Sequence, residues 1–162
     1  MLWLRGLIFT ALVPLVVAVL APARLDPGAR AHVGLWEAGW LPILIGGGLW
    51  AMCLLRFLAA GGTPAVFFTR PLRGLIGEEP PTLVSVGPYR FSRNPMYVAV
   101  LMIVFGQAIL FRSVRIALYG GVVFVVFELV IVFIEEPHLR KTQGASYQNY
   151  CAEVRRWVGR RL

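Results

Sequence analysis

Four apolar runs, Leu2–Ala23, Leu41–Ala60, Met96–Phe111 and Ile116–Ile134, hold most of the hydrophobic residues of this chain. A membrane crossing takes roughly 17–25 apolar residues. The first, second and fourth runs are long enough to span a bilayer, and the third needs its flanks. The 162-residue chain is 58% hydrophobic and 15% charged, against about half and a quarter in soluble domains. That balance excludes a disordered chain, a disulfide-stapled secreted domain and a soluble enzyme. The expected fold is all-α: an integral membrane helical bundle of about four transmembrane helices, forming one domain over residues 1–162.

Net charge is +8, and the placement of the charges says more than their sum. Arg5, Arg70, Arg73, Arg90, Arg93, Arg140, Lys141, Arg155, Arg156, Arg160 and Arg161 fall on one side of such a bundle. Arg24, Arg30, Arg112 and Arg115 fall on the other. Basic loops stay cytoplasmic, so both termini are expected in the cytoplasm, with the basic residues facing anionic headgroups. No nucleic-acid recognition module is visible. Cys53 and Cys151, like His32 and His138, lie far apart; neither pair has metal-ligand spacing, and no metal is expected. Arg5, the first apolar run and Ala21-Pro22-Ala23 loosely imitate a signal peptide. The length of the run and the proline in that site favour an uncleaved first span.

Along the chain, Asp26-Pro27-Gly28 marks a turn after span one, and Gly61-Gly62-Thr63-Pro64 ends span two. Gly46-Gly47-Gly48 permits close approach of a neighbouring helix. Spans three and four, joined only by Arg112–Arg115, must form an antiparallel helical hairpin. Residues Pro64–Pro95 make a Pro- and Gly-rich stretch whose length suggests a site. In the tail, Tyr147, Tyr150, Cys151, Val154, Trp157 and Val158 share one helical face. The spacing predicts an amphipathic helix over Gly144–Val158, lying at the interface or capping the bundle.

The candidate chemistry lies in two places. Glu128 sits mid-span, where an ionisable group is costly unless it faces protein or water. Glu135 follows two helical turns along the same face. Glu136 is next, and Pro137 then ends or kinks the helix. Two readings stand: a polar pocket opening toward the basic side, or a structural carboxyl at Glu128 with ordinary helix-end solvation of Glu135 and Glu136 near Arg140 and Lys141. The second place is Gly87–Tyr97. There Gly-Pro makes a turn, Pro95 opens a helix, and its free backbone N–H groups beside Arg93 suit an anionic group. A non-enzymatic scaffold or transporter subunit, with Glu128 as a proton or cation site, is the competing function.

Taken in order, Pro81-Thr82-Leu83-Val84, Gly87-Pro88-Tyr89, Arg93-Asn94-Pro95-Met96-Tyr97, Glu135-Glu136-Pro137-His138-Leu139 and Gly144-x-x-Tyr147-x-x-Tyr150 resemble a known set. This is the isoprenylcysteine carboxyl methyltransferase and phospholipid methyltransferase superfamily, and the resemblance runs from about Gly61 to Trp157. It implies a bacterial inner-membrane enzyme whose core is residues 61–162, preceded by two spans in residues 1–60. It also implies S-adenosyl-L-methionine as methyl donor, bound on the cytoplasmic side. Cofactor contacts carried across by motif are Pro81, Thr82, Leu83, Val84, Tyr89, Asn94, Pro95, Met96, Tyr97 and Glu135. Glu135 would pair with the cofactor's cation, and Tyr89 and Tyr97 would pack on adenine or sulfonium. Arg93, Glu128 and Glu136 are the candidate catalytic residues, either carboxylate accepting a proton from an amine or thiol acceptor. Members acting on isoprenylcysteine carry Arg one helical turn before the Glu pair, where this chain has Ile131. That favours a lipophilic, phospholipid-like amine as acceptor, with an isoprenylcysteine carboxylate or a thiol as the open alternatives.

Overall fold

A computed structural model describes residues 11–12, 14–31, 34–62 and 83–161. The architecture is all-helical, and its only extended pairing among the described residues is one antiparallel bridge between Val154 and Arg160. Helix α1 covers Val16–Leu25, its first five residues wound as a π-helix. Helix α2 covers Leu35–Ala59, opening with a 3-10 turn over Leu35–Gly39. Helix α3 is Pro95–Leu110 and helix α4 is Val114–Val130. A π-helical turn, Ile131–Glu135, joins α4 to α5, Glu136–Glu153. Two continuous helices, α2 and the one beginning at Val114, are long and apolar enough to cross a membrane. The helix at α3 is shorter, roughly 24 Å at 1.5 Å per residue. Residues 2–10 and 13 of the expected first span lie outside the described residues.

Helix α3 is the hub, packed against α1, α2 and α4. Its core partners Val100, Leu101, Val104 and Ala108 meet Ala18, Ile116, Val123 and Phe127. The opposite faces of α2, α4 and the π-helical turn expose Leu41, Leu44, Leu55, Leu118, Val122, Val125 and Phe133. That outward apolar surface suits lipid as solvent. Small residues draw α2 and α3 together. A Cβ on Gly46 would lie 2.7 Å from the Ala99 carbonyl, whereas one on Gly47 or Gly48 would meet nothing within 4 Å. The close approach expected of the glycine triplet therefore belongs to Gly46.

Helix ends follow local chemistry. Gly61 (φ 81°) donates to Leu58 O and Gly62 to Phe57 O, both at 3.1 Å, a Schellman stop for α2. The hairpin between α3 and α4 forms as the short connection requires. Ser113 Oγ caps α4 by accepting from Ile116 N and donates to Asp26 Oδ2 at 2.6 Å, tying in the end of α1.

Two expectations are corrected. Of the two effects expected at Pro137, it does not end the helix: the departure from α geometry is the π-helical turn just before it, and the ring is accommodated at the start of α5. The chain departs from helix seven residues later, at Gly144 (φ 51°, ψ −125°). Nor does the tail helix reach Val158. It stops at Glu153, Val154 is extended, and the chain hooks back through Gly159 (φ 103°). Arg155 N donates to Gly159 O, and Arg161 N to Glu153 O. The apolar spacing past Glu153 is met by this hook, which packs Trp157 against Phe124 at 4.8 Å between ring centroids.

Candidate functional site

The segment before α3 is built by turns. Gly87 (φ 64°) takes a left-handed conformation, with Pro88 opening a 3-10 turn over Gly87–Arg90. This tucks Tyr89 under α2, edge-on to Phe57 at 5.6 Å and bonded to Cys53. Burial pushes the Tyr89 hydroxyl well above the usual tyrosine range. Val84 packs in the same cluster, and Leu83 packs against Tyr147, Tyr150 and Val154. Pro81 and Thr82 lie outside the described residues.

The start of α3 is closed by the chain itself. Asn94 N donates to Ser92 Oγ at 3.0 Å, and Asn94 Nδ2 donates to Arg156 O at 3.1 Å. Arg93 N donates to Arg155 O at 3.0 Å, and Gly159 N to Phe91 O at 2.7 Å. Tyr150 OH reaches Tyr89 O at 2.5 Å and Ser92 O at 3.3 Å. The Asn94 side chain and the Arg93 backbone N–H, which flank the helix start, thus bind the C-terminal hook.

Arg93 turns toward α5. Its Nη1 lies 3.2 Å from Glu136 Oε1, 2.7 Å from Cys151 Sγ and 3.4 Å from Tyr147 OH. Its side chain is 7% exposed, and its Nε has no partner among the described residues. Glu136, equally buried, also receives Arg156 Nε at 2.8 Å and Arg140 Nη2 at 3.4 Å.

Glu128 is held by the tail: Arg156 Nη1 lies 2.5 Å from Oε1, and Trp157 Nε1 donates to Oε2 at 2.8 Å. The hydrogen bond to Glu136, with the two negative charges, raises the Arg156 pKa above its ordinary value. The shared Arg156 shows that Glu128 is aligned with Glu136, eight residues on, and not with Glu135 as straight helical spacing predicts. The reason is the π-helical turn, which adds a residue to the repeat. Glu135 is thereby turned to α3, where Tyr97 OH donates to its carboxylate. The Tyr97 ring packs on Phe127 at 4.5 Å.

Glu135 is 5% exposed. Of the three carboxylates it alone has no arginine within 4.0 Å among the described residues. The structure joins Tyr97 to Glu135 between α3 and the π-helical turn, packs Val84, Tyr89 and Met96 in one cluster under α2, and places Leu83 and the Asn94 side chain against α5 and the C-terminal hook. Arg156 links Glu128 with Glu136, and Arg93 joins them through Glu136. Arg156, Trp157 and Ser92 had no sequence signal pointing to the site. Their partners lie 28, 29 and 64 residues away, beyond any local pattern.

The fold and this polar cluster define a helical protein of membrane type with a charged site at one end of its apolar helices. A family description for phospholipid methyltransferase matches residues 41–146. The chain belongs to the phospholipid methyltransferase family. Comparison with curated proteins and with solved structures gives no match.

Proposed function

We propose that this methyltransferase uses S-adenosyl-L-methionine and acts in the membrane on a lipophilic amine of phospholipid type. The observation that carries the reading is the buried Glu135, bonded to the neutral Tyr97 hydroxyl while its neighbours take up the arginines. A buried carboxylate is costly without a cation, and the cofactor brings two, an ammonium and a sulfonium. The surroundings fit the rest of such a molecule: aromatic rings at Tyr89 and Tyr97 can receive a flat base or a cation.

When bound, the cofactor supplies an electrophilic methyl on sulfonium. Glu135 and Tyr97 would hold its cationic part, and Val84 and Met96 would form apolar wall. With the methyl so supplied, the chain's own contribution would be mainly to position the acceptor. An amine acceptor must release a proton. Glu128, with a side chain 32% exposed, is the carboxylate an acceptor can reach. Glu136, sealed among Arg93, Arg140 and Arg156, serves as anchor. Ile131, fully buried in the core, offers no cation to an acidic substrate. The basic end of the bundle, with Arg93, Arg140, Arg155, Arg156 and Arg160, is assigned to the cytoplasm of a bacterial inner membrane. Both termini lie on that side, with four spans in all.

Titration of protein in lipid nanodiscs with S-adenosyl-L-methionine tests the assignment. Saturable binding is expected, weakened at least tenfold in Glu135→Gln. No binding by the wild type, or equal binding by the variant, refutes it. Mass spectrometry after incubation with methyl-labelled cofactor and lipid extract is expected to find label in amine headgroups. Label only in protein carboxylates or small thioethers refutes the amine reading.

A further inference from the structure

Arg156 stands outside every sequence motif of the site, yet it connects Glu128, Glu136 and the segment that opens α3. Its two nitrogens divide between two carboxylates on one helix: Nη1 to Glu128 Oε1 at 2.5 Å and Nε to Glu136 Oε1 at 2.8 Å. Its carbonyl accepts from Asn94 Nδ2 and Ser92 Oγ, the residues that open α3. Trp157, next in the chain, donates to the other oxygen of Glu128 and packs on Phe124. The planar guanidinium is a fork of fixed spacing.

Glu128 and Glu136 are eight residues apart, a spacing that a straight α-helix rotates away from alignment by roughly 80° at 3.6 residues per turn. The π-helical turn Ile131–Glu135 restores the alignment by holding an extra residue. The same turn aims Glu135 at Tyr97.

We propose that Arg156 is a positioning residue for methyl transfer: by clasping Glu128 and Glu136 together it holds the π-helical turn, and so the aim of Glu135. This rests on the assignment of Glu135 to the cofactor. Arg93 and Arg140 also face Glu136, but neither reaches Glu128, so neither can set the spacing. Lysine at this position keeps the charge but offers one nitrogen, which can satisfy one carboxylate at a time.

The test compares wild type, Arg156→Gln, Arg156→Lys and Arg160→Gln in nanodiscs. Arg160 pairs with Glu153 on the exposed side of the hook and is the control. One readout is amide hydrogen exchange across residues 131–136 without cofactor; the other is titration with S-adenosyl-L-methionine. Arg156→Gln is expected to speed exchange in that turn and weaken cofactor binding on the order of 10- to 100-fold, the scale of a small misplacement. Arg156→Lys should give a smaller change in the same direction, and Arg160→Gln none. If Arg156→Gln does not fold, Arg156→Lys carries both readouts. Exchange and binding unchanged in Arg156→Lys and in any folded Arg156→Gln protein overturn the proposal. Faster exchange in a protein whose wild type binds no cofactor refutes the cofactor assignment while sustaining the clasp.

Discussion

Gly46 and Gly47 are adjacent in sequence and opposite in environment, which makes their alanine variants a matched test of how α2 and α3 set the site. At Gly46 an added Cβ meets Ala99 O at 2.7 Å, Ile103 Cγ1 at 3.0 Å and Met102 Cβ at 3.1 Å. The first is backbone and the last is fixed to it; only the isoleucine end can swing. Relief therefore requires the helices to part, an overpacking cost of about 1–3 kcal/mol. Against this, alanine in place of glycine within a helix contributes about 0.5–1 kcal/mol. The net for Gly46→Ala is a loss of roughly 0–2.5 kcal/mol. At Gly47 nothing lies within 4 Å, so only the gain remains. Reversible unfolding in mixed micelles by added dodecyl sulfate, followed by circular dichroism, reads the difference directly. Gly47→Ala should be more stable than Gly46→Ala by about 1–3 kcal/mol. Because Ala99 lies two residues past Tyr97, Gly46→Ala should also weaken cofactor binding, and Gly47→Ala should not. Equal stability of the two variants, or greater stability of Gly46→Ala, would refute the close-packed seam and its control over Tyr97.

Tyr97→Phe removes a hydroxyl given to Glu135 and should weaken cofactor binding less than Glu135→Gln does. The double variant should bind no worse than Glu135→Gln alone, because the two groups act as a unit; additive losses in nanodisc titrations would contradict this. Tyr89 ionises above the usual tyrosine range in the folded chain because burial disfavours the phenolate. Its contribution is therefore complete below about pH 10 and is lost as pH rises, when the unfolded tyrosine ionises first. Tyr89→Phe should flatten the fall of stability above pH 10 by up to about 1.4 kcal/mol per pH unit; an unchanged slope would refute it. Gly144 holds φ 51° and ψ −125° inside the α5 segment, a conformation that strains any side chain. Gly144→Ala should cost about 1–3 kcal/mol and expose the hook to limited proteolysis. Wild-type resistance would show that the chain can run straight there.

How much of this was legible beforehand depends on the distance over which each feature is encoded. The helical hairpin followed from four residues between two apolar runs, and the stop of α2 from Gly61. Span boundaries at Pro95 and Leu110 came within a residue of expectation. The tail was misjudged past Glu153 because Val154, Trp157 and Val158 keep an apolar spacing that a hook can satisfy as well as a helix. Pro137 distorts the helix without ending it, because the turn before it is π-wound and makes room for the ring. The same extra residue moved Glu135 away from the face of Glu128. Glu135, Glu136, Arg93 and Tyr97 were picked out singly by cost and by motif, but not which acid met which base.

The sequence by itself determined the membrane-type solvent of this chain, its all-helical class and which ionisable residues are costly where they stand. Each of these is written in local composition, since twenty apolar residues in succession cross a bilayer wherever they stand. Tertiary structure alone decided that Arg156 clasps Glu128 and Glu136 across 28 and 20 residues, leaving Glu135 to a neutral phenol. In a low-dielectric interior each carboxylate must find a partner or another proton. Which partner it finds depends on where the folded chain returns, and no local pattern carries that information.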